Sequence, residues 1–247
     1  MKTLAFASRN TKEILRDPLN LAFGIGFPLA ILFLLSLIQS NVPVSLFEIE
    51  NLTPGIAVFG FSFISLFSGM LVSKDRSTSF LMRLFSFPLT GANFILGYTL
   101  PLFPMAIMQS AICFIAAFFL GLSISVNVLM VFIVLVPASI LFIAIGLLAG
   151  SLLTDKQVGG ICGALLTNLA AWLSGTWFDL NLVGGAFQQI AYALPFVHAV
   201  DAGKAALEGN YGGMFPHLWW VMGYATVIFI LAILVFSRKM KGEAKVD

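Results

Sequence analysis

The chain has 247 residues, of which 60% are hydrophobic and 10% charged, and a formal net charge of +2. A globular domain carries about 25% charged residues, and a soluble sphere of this size lacks the polar surface to cover so much apolar side chain. A soluble enzyme domain is therefore excluded, and the small net charge points away from nucleic acid. Lipid acting as the solvent removes the conflict, so an all-α membrane protein is expected.

The first 17 residues read as an amphipathic helix. At 100° per residue, Lys2, Arg9, Lys12, Glu13 and Arg16 fall on one arc, opposite Leu4, Ala7, Thr11, Ile14 and Leu15. Such a helix lies in the membrane surface with its basic face towards headgroups; the alternative is a charged flank that only fixes topology. Asp17-Pro18 ends it, because the residue before proline avoids the α region. Charges spread through the first 18 residues leave no room for an apolar signal-peptide core, so a cleaved leader is not expected.

A span needs roughly 20 mainly apolar residues to cross about 30 Å of hydrocarbon. Six stretches meet this within a single transmembrane domain: 19–40, 54–73, 94–120, 126–153, 158–178 and 215–237. Only Thr154 to Gln157 separates the fourth from the fifth, which predicts a tight hairpin. The loop 74–90 is amphipathic. Ser77, Thr78 or Ser79 can cap a short helix, Phe80, Leu81, Leu84 and Phe85 line one side, and Pro88 stops it. It reads as a docking element for another protein, the alternative being a membrane-parallel helix with no partner. In the segment 179–214, the apolar run Val183 to Val200 is interrupted by Gly184, Gly185, Gln188, Gln189, Pro195 and His198, which suits a broken, re-entrant or interfacial helix.

Orientation follows from the Lys and Arg count. With the N-terminus inside, 12 of the 13 basic residues fall on the cytoplasmic side, and Lys204 alone falls outside among Glu48, Glu50, Asp179, Asp201 and Glu208. Both ends are therefore expected in the cytoplasm, and a multi-pass protein of the bacterial plasma membrane is expected.

Chemistry-bearing motifs are sparse. Gly203-Lys204-Ala205 lacks the first glycine and the Ser/Thr of a phosphate-binding loop. His198 and His217 stand 19 residues apart without the spacing of a zinc site. Cys113 and Cys162 lie in apolar runs and read as small core residues. The spans carry no charges, only Gln39, Gln109, Thr167 and Asn168, with Asn93 near one end. An ion-coupled carrier usually needs intramembrane acids or unwound ion sites, so this argues for an external energy source. Gln109, Thr167 and Asn168 are candidates for a substrate path. Interhelical hydrogen bonding, worth about 0.6 kcal/mol on average, is the favoured alternative. Gly146 with Gly150, and Gly159 with Gly163, form small-residue stripes. They suit close packing in the hairpin of the fourth and fifth spans; the alternative is a dimer face. Pro28, Pro101, Pro104 and Pro137 are expected to kink their helices.

Four short motifs occur in one order. They are Arg16-Asp17-Pro18; Leu52-Thr53-Pro54-Gly55-Ile56-Ala57; Arg83-Leu84 followed by Pro88-Leu89-Thr90; and Leu194-Pro195-Phe196-Val197-His198-Ala199-Val200-Asp201. In this the chain resembles the permease subunits of ABC-type-2 transporters over nearly its whole length. Ser77, Thr78, Ser79 and Phe80 stand where that family usually has Glu-x-Gly-Thr. The resemblance implies a type V ABC exporter fold, with six spans, an N-terminal interfacial helix, a cytoplasmic coupling helix and broken external helices before the last span. It implies a partner ATPase docked on Arg76, Ser79, Phe80, Arg83, Leu84, Phe85 and Pro88. A second permease copy or paralogue would complete the translocation path among membrane lipid. ATP and Mg²⁺ would then sit on the ATPase, and this chain would bind no cofactor and catalyse nothing itself. The implied activity is ATP-driven export of a hydrophobic or amphipathic drug, peptide or lipid by alternating access. A non-transport scaffold or assembly factor is the alternative.

Overall fold

The computed structural model describes residues 2–42, 45–78 and 90–243, which are helical with no strand. Helix α1 is Lys2–Leu15. A short turn, Pro18–Leu21, leads into α2, Ala22–Asn41, whose first five residues are wound as a π-helix. Three long helices follow: α3, Ile49–Ser77; α4, Gly91–Phe119; and α5, Asn127–Leu152. Helix α6 is continuous through Asp155–Val158, a π-wound Gly159–Leu166 and Thr167–Trp172. Three short helices, α7 (Leu180–Val183), α8 (Gly185–Ala193) and α9 (Pro195–Leu207), precede α10, Tyr211–Glu243.

Among the described residues five helices, α2, α3, α4, α5 and α10, are long and apolar enough to cross a membrane. The expected fifth span, 158–178, is the exception. Its helix ends at Trp172, where Leu173 leaves the helix and Gly175 takes a φ of 69°. What remains starts with Asp155, Lys156 and Gln157, which lower its hydropathy. Contacts nevertheless tie its first turn, and the chain just beyond its end, to α3. Ser73 Oγ donates to Asp155 Oδ1 at 3.0 Å near one end of α3, and the ring of Trp177 packs edge-on against Phe59, 5.5 Å away, towards the other. Along this stretch α6 therefore runs antiparallel to α3. The start of α6 is fixed by a capping box, in which Thr154 and Gln157 satisfy each other's exposed backbone donors.

Helix α3 is the axis of the bundle: 89% of its apolar window is buried within the protein. The reason is its run of small residues. Ser62, Ser65 and Ser68 are fully buried, and Gly146 and Gly150 of α5 lie so close to α3 that a methyl group on either would overlap Ser65, Ser68, Gly69 or Val72. The glycine stripe is therefore intramolecular, but it joins α5 to α3, not α5 to α6. Gly159 has nothing near its missing side chain, and Gly163 faces Leu66 of α3. Once backbones approach this closely, dispersion contacts and shape hold helices that hydrophobicity alone cannot drive together in lipid. Large rings fill the remaining space: Phe61, Phe94, Tyr98, Phe114, Phe142 and Phe236 are all fully buried.

The broken pattern after Trp172 is resolved as three helices. Gly184 and Gly185 adopt φ of 61° and 58°, a region that side chains disfavour, and they divide α7 from α8. Pro195 then opens α9 in the first helical turn, where its missing N–H costs nothing. The interior prolines Pro54, Pro101, Pro104, Pro137 and Pro216 all lie within continuous helices.

Candidate functional site

One end of the bundle gathers the basic residues. The C-terminal ends of α3, α5 and α10 meet there with the N-terminal ends of α4 and α6, and α1 lies across them. Phe94 at the start of α4 packs 5.6 Å from Phe236 near the end of α10. Lys12, Arg16, Lys74, Lys156, Arg238 and Lys239 are all exposed or partly exposed in this region.

The segment 74–90 enters and leaves at this end. Its described parts are Lys74 to Thr78 and Thr90. Ser79, Phe80, Arg83, Leu84, Phe85 and Pro88 lie outside the described residues. Thr90 caps α4 by accepting from Asn93 N–H at 3.3 Å. Arg76 turns towards the bundle: its Nη1 donates to the carbonyl of Gly150 at 2.8 Å and approaches that of Leu153 at 3.4 Å. A cation at the carbonyl end of α5 satisfies orphaned acceptors and complements the helix dipole.

Asp75, next to Arg76, is the centre of a network that sequence reasoning missed. Its side chain is 3% exposed. Arg9 of α1 donates to both carboxylate oxygens, at 2.7 and 2.9 Å, and Tyr98 Oη of α4 donates to Oδ2 at 2.9 Å. Arg9 also pairs with Glu13 and donates to Asn10 Oδ1 at 2.8 Å. The fully buried Asn10 donates in turn to the carbonyl of Gly97 at 3.1 Å. Three elements are joined at the point where α3 gives way to the loop.

This revises the face of α1 read from the helical wheel. The buried strip is Phe6, Ala7 and Asn10, whereas Leu4, Thr11 and Leu15 are exposed. Arg9, placed on the headgroup face by the wheel, points into the protein. Gly97 makes room for Phe6, whose ring meets Tyr98 edge-on at 4.9 Å. A buried carboxylate then draws the guanidinium inward, and a wheel that sorts residues by hydropathy cannot foresee that partner. The available signal was Asp75 itself, an acid four residues after Leu71 between Lys74 and Arg76.

The three residues nominated for a substrate path do not form one cluster. Gln109 is fully buried between α3 and α4, against Gly60, with Nε2 3.4 Å from Cys113 Sγ. Among the described residues its Oε1 has no hydrogen-bond partner. Thr167 and Asn168 lie on α6. Thr167 Oγ1 donates five residues back to Cys162, matching the π-wound turn, and the exposed Asn168 donates to Ala164.

The other end is acidic and aromatic. Glu48, Glu50, Asp179, Asp201 and Glu208 lie there, together with Trp177, Tyr192, Tyr211 and Trp220. Asn127 at the start of α5 donates to the carbonyl of Leu207 at 3.0 Å and accepts from Tyr211 Oη at 2.9 Å. His198 and His217 bring their Nδ1 atoms within 2.7 Å, and His198 Nε2 lies 2.9 Å from the carbonyl of Tyr192. With His198 neutral, its Nε2–H donates to that carbonyl, leaving Nδ1 to accept from His217. Burial pushes the pKa of His198 below its usual value, opposed by the Tyr192 carbonyl. A cavity of about 530 Å³ opens beside this pair, between the start of α3, the turn 175–182 and α9.

A family model for the ABC-2 type transporter matches residues 1–207. No curated protein matches the chain. The match includes α1, the segment 74–90 and every helix up to α9, and α10 completes the bundle they form. The chain belongs to the ABC-2 type transporter family and is a transmembrane permease component of an ABC transporter.

Proposed function

We propose that the protein is the membrane subunit of an ATP-driven exporter, with six crossings and both ends in the cytoplasm, moving a hydrophobic or amphipathic substrate by alternating access. Permeases of this family normally work with a separate ATPase subunit. The observation that carries the reading is the convergence at the basic end. The loop 74–90 begins beside the Asp75 network and joins α3, the central helix, to α4. A force applied to that loop would reach α1 through Arg9, α4 through Tyr98 and α5 through Arg76.

Six crossings are supported by parity. The basic residues of α1, of the ends of α3 and α10 and of the start of α6 share one end of the bundle, which requires an even number of passes. Helix α6 supplies the sixth geometrically. Its 18 residues would extend about 27 Å, close to the hydrocarbon thickness. The basic end would face the cytoplasm. Exposed apolar side chains on α2, α6 and α10, among them Leu37, Leu165, Trp172 and Val227, would meet lipid or a second permease. ATP and Mg²⁺ would be held by the partner.

The test is affinity purification of the tagged protein from its native membrane in mild detergent, with identification of stoichiometric partners. A soluble ATPase at one copy per permease is expected, and it should be lost when Arg83→Glu and Leu84→Asp are combined. Recovery of the permease with no nucleotide-binding partner across several detergents would overturn the reading. Retention of the ATPase by the double variant would rule out this docking segment.

A further inference from the structure

The cavity at the acidic end plays no part in the reading above. Its volume of about 530 Å³ lies within the range of small-molecule sites, roughly 300–1,000 Å³. Phe47, Trp177 and Phe178 supply apolar wall, Asn51 supplies an amide, and the charges are the carboxylates of Asp179 and Asp201 and the ammonium of Lys204. Among the described residues Lys204 is the one Lys or Arg at this end, so the charge bias of the other end does not explain it.

Asp201 and Lys204 stand three residues apart on α9, and both line the cavity. The described residues hold no ion pair within 4 Å for either. Burial raises the pKa of Asp201 against the pull of Lys204 and His198. Burial likewise lowers that of Lys204 against the pull of Asp201, Glu208 and Asp179. Each charge has given up hydration without gaining a close counter-charge, and a partly buried ion in that condition is costly to keep. A ligand bringing one charge of each sign would relieve both.

We propose that this cavity binds a small zwitterion bearing a primary ammonium and an anionic group. The ammonium is held by Asp201, the anion by Lys204, and the apolar remainder lies on Phe47, Trp177 and Phe178. Asn51 Nδ2 already donates to the carbonyl of Ser45 at 2.9 Å, which leaves its Oδ1 as an acceptor for the ammonium. Soluble amino compounds and the headgroup of an aminophospholipid share this chemistry, and the aromatic residues at this end place the cavity at the level where either is met.

The experiment uses the full-length protein in nanodiscs of phosphatidylcholine and phosphatidylglycerol, which lack primary ammonium groups. It is titrated calorimetrically with L-leucyl-L-phenylalanine and, separately, with glycerophosphoethanolamine. At least one probe should bind saturably, and Asp201→Asn and Lys204→Met should each weaken it at least tenfold. The N-acetylated form of that probe should bind the unaltered protein at least tenfold more weakly, a comparison that needs no variant to fold. Binding of the dipeptide assigns a soluble amino compound; binding of the phosphoethanolamine alone assigns a lipid headgroup. Absence of saturable binding by both probes, equal binding of the N-acetylated form, or indifference to both substitutions would overturn the proposal. No ATPase and no transport enter the measurement, so its failure would leave the exporter reading standing.

Discussion

Asp75 and Arg9 share an ion pair but differ in how much water each can recover. The Asp75 side chain is 3% exposed, whereas that of Arg9 is 35% exposed. Asp75→Asn frees a guanidinium that can rehydrate, so the expected loss is that of charge-assisted hydrogen bonds, about 2 kcal/mol. Arg9→Leu strands a buried carboxylate whose remaining donor is Tyr98, and costs more, about 3–5 kcal/mol. The ordering of the two melting temperatures in detergent checks this, and a milder Arg9→Leu would contradict the geometry. His198 supports a second prediction. Its folded-state pKa is depressed by burial, so the unfolded or locally opened state binds the proton more readily. Stability at the acidic end is therefore full above the ordinary histidine value, near 6.5, and falls as pH drops through it and towards the lower folded value. His217, Tyr192 and Asp201 are the titratable groups around it, and Asp201 only partly offsets the loss. The opening equilibrium of α8 and α9, read from hydrogen exchange corrected for its intrinsic pH dependence, should rise as pH falls from 7 to 5, and His198→Gln should flatten that rise.

At the scale of elements, the close contact between α3 and α5 is the most sensitive to added volume. Because Gly146 meets Ser65 and Ser68 without room for a methyl group, Gly146→Val must push the helices apart. A loss of about 3 kcal/mol is expected, the upper range for overpacking, visible as a lower melting temperature or aggregation on extraction. Gly159→Ala, in a stripe of the same spacing but with open space around it, should be nearly neutral. The spacing of four announced both stripes in the sequence, but spacing cannot say which helix each would face. The end of α1 shows the same limit. Its amphipathic period was legible, but its buried strip was set by Gly97 and Asp75, which lie far away in the chain.

For the whole molecule, single cysteines at Ser8 and Lys156 should react with an impermeant reagent only from one side of the membrane. Cysteines at Glu48 and Asn210 should react only from the other, in a background where the buried Cys113 and Cys162 are replaced by Ala. Labelling of Lys156Cys and Asn210Cys from the same side would mean that α6 does not cross, leaving five passes and C-terminal cations on the far side. Five long apolar helices were legible because lipid imposes a length and a composition on each crossing. The expected fifth span, 158–178, had both only in part: its polar first turn and the glycine turn after Trp172 shorten the helix.

Composition, the positions of the long apolar runs and the 12-to-1 distribution of basic residues were enough to decide that this is a helical membrane protein and to suggest its direction. These are properties of the chain summed over segments of about 20 residues, the scale on which lipid selects. The ordered short motifs pointed to the family. Tertiary structure alone decided that Arg9 meets Asp75, that Arg76 caps α5, that Gln109 is enclosed within the bundle, and that Asp201 and Lys204 share one cavity. Each of these depends on which faces of distant helices meet, and a local period carries no information about the partner across the gap.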